Sequence, residues 1–325
     1  MSKTVKWALI GCGDISERRV APALQDLPDS QLVSISRKRP DLLQSFANQF
    51  NVPKTCASWQ EQIQDTEIDA VYVSTPVNLH EEQVIQSAEA GKHVLCEKPM
   101  ALDRHACQRM IDACEANNVK LGVAFYRHCY PVLGRIKEII QSNEIGQVTI
   151  AQINCFSRFN RGPEEPRGWL LDKKQSGGGP MIDFGCHRLE VLVHLFGNAV
   201  KVTSVNANLL YPERNVEDTS TAILNFQSGA LGILTVTHTA EEPQDTLFIY
   251  GSDGSIHVPK LNKGHYNIVK SGQMIREETL PPHSNFHQPL IGDFNKAILQ
   301  NRSPVVDGQA GKVITEIIDQ IYGNP

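Results

Sequence analysis

The residues with the clearest capacity for chemistry lie in the stretch SGGGPMIDFGCH, residues 176–187. Its three consecutive glycines, 177–179, are followed by Asp183 and His187, which are four positions apart. A helical pattern of apolar residues begins at Ile182, and residues four apart meet on one face of a helix. An imidazole titrates near neutral pH and accepts a proton within hydrogen-bond reach. The stretch therefore predicts a proton-transfer site at the start of a helix, with glycines that let the chain approach a ligand closely.

The same helix offers a rival chemistry, because its polar stripe contains four groups that can ligate a metal ion. These are Asp183, His187, Glu190 and His194. One ion cannot reach all four, since the stripe spans about three helical turns. The neighbouring stripe is apolar and is expected to anchor the helix; it consists of Ile182, Cys186, Leu189, Val193 and Phe196. We therefore predict no metal site here, and we expect Glu190 and His194 to be structural or solvated.

A second candidate for proton transfer is Lys98, in the sequence CEKP at residues 96–99. This motif and the upstream STPVNLH, residues 74–80, each follow a short apolar run that is typical of a buried parallel strand. Ligands of open α/β sheets bind at the carboxyl ends of the strands. We therefore expect Lys98 to face the reactive end of a bound cofactor, where its charge would stabilise a developing alkoxide.

The cofactor itself is indicated by GCGDIS, residues 11–16, which follows an apolar strand and precedes a helical pattern. This matches the dinucleotide fingerprint, in which the first glycine makes the turn and the second admits the pyrophosphate. Here Gly11 and Gly13 take those roles, and Ser16 is small enough for the third position, where helix and strand pack closely.

The end of the second predicted strand, SISRKR at residues 34–39, favours NADP over NAD. NAD-binding proteins place an acidic residue there for the ribose hydroxyl, but this chain has none before Asp41. Ser36 can donate a hydrogen bond to a 2′-phosphate, and Arg37 can form an ion pair with it. We therefore predict NADP as the preferred cofactor, with NAD as the alternative.

The order of the predicted elements indicates two domains. Up to about residue 124, apolar runs alternate with helical patterns, which is typical of βαβ units and a parallel sheet. Later runs such as TSTAILNF, 219–226, alternate in polarity, as in an antiparallel sheet with one covered face, and a hairpin turn is predicted at 227–229. The predicted fold class is an α/β Rossmann domain, 1–124, followed by an α+β domain, 125–325, with an open, mainly antiparallel sheet.

Taken together, GCGDIS, STPVNLH, CEKP and GGGPMIDFGCH occur in the order and spacing of one family. The chain resembles the glucose-fructose oxidoreductase, inositol dehydrogenase and rhizopine catabolism (Gfo/Idh/MocA) family over nearly its whole length. The resemblance implies NAD(P)-dependent oxidation or reduction of a sugar, cyclitol or related polyol or ketone. It implies catalytic roles for Lys98, Asp183 and His187, and association into dimers or tetramers through the sheet of the second domain.

The resemblance and the motifs also define the wider set of candidate site residues. The cofactor-binding candidates are Gly11, Gly13, Asp14, Ile15, Ser36, Arg37, Thr75, Pro76, Asn78, His80, Glu97 and Lys98. The substrate-binding candidates are Tyr126, Arg127, Trp169, Asp183 and His187. Three loop arginines, Arg158, Arg161 and Arg167, are either solvated or ligands of an anionic substrate. Two other functions stay open: a non-catalytic NAD(P) sensor, and a glycosidase that retains its nucleotide.

Composition argues for a small-molecule substrate rather than a macromolecular partner. The 325 residues have a net charge of -5 and no long basic tract, so neither nucleic acid nor an anionic membrane is an expected ligand. The first apolar run is far too short to span a membrane or to form a signal peptide. Its 8 cysteines form no CxxC pair, which favours reduced thiols and a cytoplasmic location.

Overall fold

The structure, a computed structural model, describes residues 4–162 and 164–323. These residues form two compact units. The first contains the chain up to Tyr126 together with His283–Lys312, and the second contains Arg127–Pro282 and the chain from Val313 onward. None of the described helices is long and apolar enough to cross a membrane.

The helices of the two units follow the predicted alternation closely. In chain order they are α1 (Ala21–Asp26), α2 (Pro40–Gln49), α3 (Trp59–Ile63), α4 (His80–Glu89), α5 (Arg104–Ala116), α6 (Pro131–Gln141), α7 (Lys173–Ser176), α8 (Cys186–Phe196), α9 (Gln288–Leu299) and α10 (Gly308–Tyr322). Short π-helical turns, Ser16–Val20 and Met181–Gly185, lead into α1 and α8. Both of these turns belong to segments that the sequence singles out for chemistry, and π-turns are often found at functional sites.

The first unit is built on a six-stranded sheet whose pairings are all parallel. Its strands are β1 (Val5–Ile10), β2 (Ser30–Ser36), β3 (Lys54–Cys56), β4 (Ala70–Val73), β5 (His93–Cys96) and β6 (Leu121–Val123). The order β3-β2-β1-β4-β5-β6 is that of a Rossmann sheet, which confirms the predicted fold of this part. The strand order reverses between β1 and β4, so ligands are expected at the loops that follow these two strands.

The second unit is built on an eight-stranded sheet of order β14-β13-β12-β11-β7-β10-β9-β8. Its strands are β7 (Val148–Arg158), β8 (Ala199–Ala207), β9 (Thr219–Phe226), β10 (Leu231–Thr237), β11 (Thr239–Gly251), β12 (Ser255–Lys260), β13 (His265–Lys270) and β14 (Gln273–Thr279). Neighbours are antiparallel except for β7 and β10, which confirms the mainly antiparallel sheet. In β9, Ala222, Leu224 and Phe226 are buried, while the intervening Ile223 is 41% exposed, so one face is covered as predicted.

Three strands of this sheet, β12 to β14, are absent from the sequence-based prediction. In β12 and β13 the alternation is present but brief, with Ile256, Val258, Tyr266 and Ile268 buried, and β14 has no buried residue, so its sequence carries no signal of a covered face. The turn between β13 and β14 uses Ser271 and Gly272, both with positive φ. A serine rarely adopts that backbone conformation, and the dipeptide is therefore a weak hairpin signal in the sequence.

The segment His283–Lys312 belongs to the first unit, whereas the sequence-based division at residue 124 groups it with the second domain. Phe294 of α9 is buried against Trp7 of β1, with ring centroids 5.7 Å apart. The Trp7 indole N–H donates to Asn295 Oδ1 at 2.9 Å. Since these partners are almost the whole chain apart in sequence, no local pattern indicates that α9 covers the Rossmann sheet.

Candidate functional site

The glycine loop after β1 has the geometry that the dinucleotide fingerprint requires. Gly11 has a φ of +90°, and a Cβ atom there would lie 2.8 Å from the Ser74 carbonyl oxygen. The Ser16 hydroxyl donates to the Gly11 carbonyl oxygen at 2.6 Å and also lies 2.6 Å from the Ser74 hydroxyl. A small buried residue at position 16 therefore closes the loop onto the segment that follows β4.

The next residues form the N-terminus of a helix that is open to a ligand. A Cβ atom on Gly13 would meet nothing within 4 Å, so there is space beside its backbone. The helix begins at Asp14, which is exposed, and continues through the half-buried Ile15. Helix N-termini favour phosphate because their first N–H groups and the helix dipole point at it. These residues fit the pyrophosphate of a dinucleotide.

At the end of β2, Arg37 is better placed than Ser36 to reach a ribose. Arg37 Nη1 donates to the Cys12 carbonyl oxygen at 2.5 Å, which holds the guanidinium beside the glycine loop. Ser36 is only 3% exposed, and its hydroxyl has no hydrogen-bond partner among the described residues. Arg39 instead forms an exposed pair with Asp41.

The loops after β4 and β5 are joined by His80. Its ring is 1% exposed, with Nε2 at 2.8 Å from the Thr75 carbonyl oxygen and Nδ1 at 3.1 Å from that of Pro99. Burial lowers the pKa of this imidazole. Because the ring faces backbone on both sides, His80 positions the two loops. His80 thus contacts the backbone of Thr75 and of Pro99, the residue after Lys98, while Pro76 is half-buried and Asn78 exposed on the same loop.

Lys98 directly follows a buried carboxylate, that of Glu97. Glu97 Oε1 accepts hydrogen bonds from the Tyr72 hydroxyl at 2.8 Å and faces His287 Nε2 at 3.2 Å, and its Oε2 accepts from the Lys98 backbone N–H. Burial alone would raise the pKa of the Glu97 carboxyl, but His287, Lys98 and Tyr72 outweigh it and hold the pKa below its ordinary value. Glu97 is thus a support for Lys98, which is itself half-exposed. The sequence gives no indication of His287, which lies 190 positions from Glu97.

In the second unit, Asp183 is held by two residues that the sequence does not link to it. Arg167 Nη2 donates to both carboxylate oxygens, at 2.8 and 3.0 Å, and His238 Nε2 lies 3.4 Å from Oδ2. His238 is fully buried between the rings of Phe159 and Phe184. The Asp183 side chain is still 12% exposed, so part of it can meet a ligand while Arg167 forms an ion pair with it.

His187 follows on the first turn of α8 and is 4% exposed. The segment that contains Asp183 is a π-turn, Met181–Gly185, so the helical pattern predicted from Ile182 starts with wider turns. The predicted single apolar face is wrong in its second half: Leu192 and Leu195 are buried, whereas Val193 and Phe196 are half-buried. The reason is that α8 is enclosed on more than one side, so its burial does not follow one stripe.

Two of the three glycines, Gly178 and Gly179, lie against the protein itself rather than against open space. A Cβ atom on Gly179 would lie 1.9 Å from the Glu217 carbonyl oxygen, and one on Gly178 would lie 2.2 Å from the Tyr322 hydroxyl. The Glu217 carboxylate accepts from the backbone N–H of Gly179 at 2.9 Å and of Met181 at 3.2 Å, and from Tyr322 at 2.7 Å. Burial raises the pKa of Glu217 despite these donors. The turn before Asp183 is therefore clamped onto a buried carboxylate.

The other residues predicted to bind substrate differ in their burial and in their contacts. Tyr126 stacks on Phe286 within the first unit, and Arg127 of the second unit is buried, with Nη2 at 3.3 Å from Asn262 Oδ1. Trp169 is half-buried in the short helix Gly168–Leu171. Of the loop arginines, Arg158 and Arg161 form exposed pairs with glutamates, and Arg167 alone of the three contacts Asp183.

Comparisons with known proteins agree with the two-domain fold of this chain. Residues 5–125 match a family model described as an oxidoreductase family with an NAD-binding Rossmann fold, and residues 133–257 match the GFO/IDH/MocA C-terminal domain. Oxidoreductase P35 of Formosa agariphila is 29% identical over 99% of this chain and 100% of its own. Trans-1,2-dihydrobenzene-1,2-diol dehydrogenase of Xenopus laevis is 30% identical over 82% of this chain and 79% of its own. An aldose-aldose oxidoreductase of Caulobacter crescentus, solved with glycerol, has a TM-score of 0.90 at 24% identity over 99% of this chain and 97% of its own.

Proposed function

This chain belongs to the GFO/IDH/MocA oxidoreductase family, and on that premise we propose that it transfers a hydride between a nicotinamide dinucleotide and a sugar, cyclitol or related polyol or ketone. The resemblance predicted from the four motifs is confirmed at the level of the family. The observation that carries the proposal is Asp183, which forms an ion pair with Arg167 and lies beside His238 while its side chain stays 12% exposed. A hydroxyl-rich substrate supplies the donors that such a carboxylate accepts.

The chemistry divides between two kinds of group. The nicotinamide, when bound, accepts the hydride from the carbon that is oxidised or returns it to a carbonyl carbon. The hydroxyl proton of the alcohol must leave at the same time to a base within hydrogen-bond reach. We propose His187 and Lys98 for this proton transfer, because an imidazole titrates near neutral pH and the ammonium charge stabilises an alkoxide. Asp183 orients the substrate hydroxyls.

The test is a panel of sugars, cyclitols and dicarbonyls, assayed by nicotinamide absorbance with both cofactors. Steady turnover with at least one of them supports the proposal. A cofactor that stays bound and undergoes no net turnover, combined with cleavage of a glycoside, would identify a nucleotide-retaining glycosidase. Binding of NAD(P) without any turnover across the panel would indicate a sensor and overturn the proposal.

We further propose NADP as the preferred cofactor, on the basis of Arg37 and the missing acidic residue at the end of β2. Replacing Arg37 with alanine is expected to weaken NADP binding by about 10- to 100-fold, since an ionic hydrogen bond contributes about 1.5–3 kcal/mol. NAD binding should change little. Arg39→Ala is the matched control, because Arg39 pairs with Asp41 away from the glycine loop. Titrations that show equal losses for the two cofactors would refute the assignment to Arg37.

We also propose that the uncovered face of the second unit's sheet mediates a homodimer or homotetramer. Leu231, Ile150 and Tyr250 are neighbours across β10, β7 and β11, and they are 36%, 36% and 39% exposed. A contiguous apolar patch of this kind favours association. Light scattering at micromolar concentration should give a multiple of the 36.1 kDa chain mass, and Ile150→Glu should reduce it. A wild-type mass of one chain would exclude this proposal.

A further inference from the structure

A cluster of ligand-forming side chains lies in the second unit and joins His128 to Glu190 and His194, two members of the polar stripe for which the sequence predicts no metal site. His128, Glu190 and His194 each point one potential ligand atom at the others, and these atoms all lie within 4.8 Å of one another. Glu190 and His194 are one turn apart on α8, and His128 belongs to the short helix Tyr126–Cys129. His128 Nδ1 is 2.7 Å from Glu190 Oε1, and the two imidazole rings are 4.0 Å apart.

Only one of the two carboxylate oxygens of Glu190 has a hydrogen-bond partner among the described residues. Glu190 is 5% exposed, and its Oε2 is a buried atom without a hydrogen-bond partner among the described residues. Burying a carboxylate oxygen without a hydrogen-bond donor costs free energy of folding. A bound ion is one common explanation for such an oxygen.

The histidines are available as ligands. His194 is half-buried on α8, and its ring meets the ring of His128 edge-on, with its ligand atom within 4.8 Å of the other two. His128 is 25% exposed at its side chain, which leaves a route to solvent. Two imidazoles and one carboxylate form the donor set of many zinc sites that keep a position for water.

We propose that His128, Glu190 and His194 bind one divalent transition-metal ion, with zinc as the best match to the donor set. In a tetrahedral site with bonds of about 2.0–2.1 Å, ligand atoms are about 3.3 Å apart. The His128 Nδ1–Glu190 Oε1 distance of 2.7 Å is shorter than this, so ion binding would replace that contact with bonds to the metal. The other ligand atoms, which lie within 4.8 Å, would move to the metal's spacing. The bound ion would give Oε2 of Glu190 the partner that it lacks.

One nearby charge opposes binding. The Lys137 ammonium of α6 acts on both Glu190 and His194, and it would repel a cation. The proposal therefore predicts that Lys137→Met binds zinc more tightly than the wild type. If the His128–Glu190 contact and the two rings instead form a closed packing arrangement without an ion, neither Lys137→Met nor the wild type will bind zinc in this cluster.

The ion would act on structure rather than on the reaction. It would join the helix Tyr126–Cys129 to α8 at Glu190, which is three residues after His187. Zinc should accordingly raise the Tm of the second unit without being required for hydride transfer. Activity that is lost to chelators would mean that the ion takes part in catalysis and would contradict this structural role.

The experiment is calorimetric titration of the chelator-treated full chain with Zn²⁺, followed by Co²⁺, whose visible spectrum reports coordination geometry. We expect one site with a Kd near or below about 1 µM. Glu190→Gln and His194→Gln should each weaken binding at least about 10-fold, the effect of losing a direct ligand. Folding of each variant is checked by its circular dichroism spectrum.

Two controls separate this cluster from other zinc-binding groups. Cys129→Ser tests the thiol next to His128, and His265→Ala removes an exposed imidazole on β13. Both variants should bind zinc as the wild type does. No binding by wild type at about 100 µM zinc, or a loss of binding in a control but not in Glu190→Gln, would overturn the proposal.

Discussion

The two single variants Lys98→Ala and His187→Ala should each have a kcat lower by a factor of about 10² to 10⁴, which is the usual contribution of a general acid–base group. Dinucleotide affinity should change little, because the groups that fit the pyrophosphate are at Gly11, Gly13 and the helix that follows. Asp183→Asn should also impair turnover or raise KM, since one acceptor oxygen is replaced by a donor. Steady-state kinetics and a fluorescence titration of NADPH measure the two quantities separately.

A double variant provides the stronger test of this prediction. If Lys98 and His187 serve one proton-transfer step, Lys98→Ala/His187→Ala should lose much less than the product of the two single losses. Independent roles would give multiplicative losses. Lys120→Ala and His265→Ala are matched controls in the respective units and should keep wild-type kcat. If Lys98→Ala and His187→Ala each keep a kcat close to that of the wild type, the proposed catalytic roles of Lys98 and His187 are wrong.

The second large effect is expected from Gly179→Ala. The added Cβ would lie 1.9 Å from the Glu217 carbonyl oxygen, and both clashing segments are backbone, so neither can rotate away. We expect a loss of about 3 kcal/mol in the free energy of unfolding, at the upper end for overpacking, and a Tm lower by about 6–12 °C. Differential scanning calorimetry measures this directly.

The substitution should also reduce turnover, because the Asp183 backbone N–H donates to the Gly179 carbonyl oxygen at 2.9 Å. Gly134→Ala is the matched control: its Cβ would meet nothing within 4 Å, and Gly134 lies inside α6. That change should be neutral or stabilising by up to about 1 kcal/mol. Equal melting temperatures for Gly179→Ala and Gly134→Ala would show that the turn is not clamped as described.

The sequence by itself determined the features that depend on neighbours along the chain. The glycine loop and the alternation of apolar strands with helices are local patterns, and both are found where they were predicted. Asp183, by contrast, lies in a π-turn ahead of the α-helix that contains His187. The order of the motifs also identified the family. Local periodicity suffices here because a strand, a turn and a helix start are specified mainly by residues a few positions apart.

Only the tertiary structure decided what surrounds these residues. Glu217 lies 38 positions from Gly179, Tyr322 lies 105 positions from Glu217, and His287 lies 190 positions from Glu97. His238 reaches Asp183 from a different strand, and His128 meets Glu190 across 62 positions. Such contacts arise when separate elements pack to exclude water, and that packing depends on the shapes of whole faces rather than on any short stretch. The family and the fold class of this protein are therefore readable in its motifs, whereas the contacts around each candidate site residue come from the folded arrangement of distant segments.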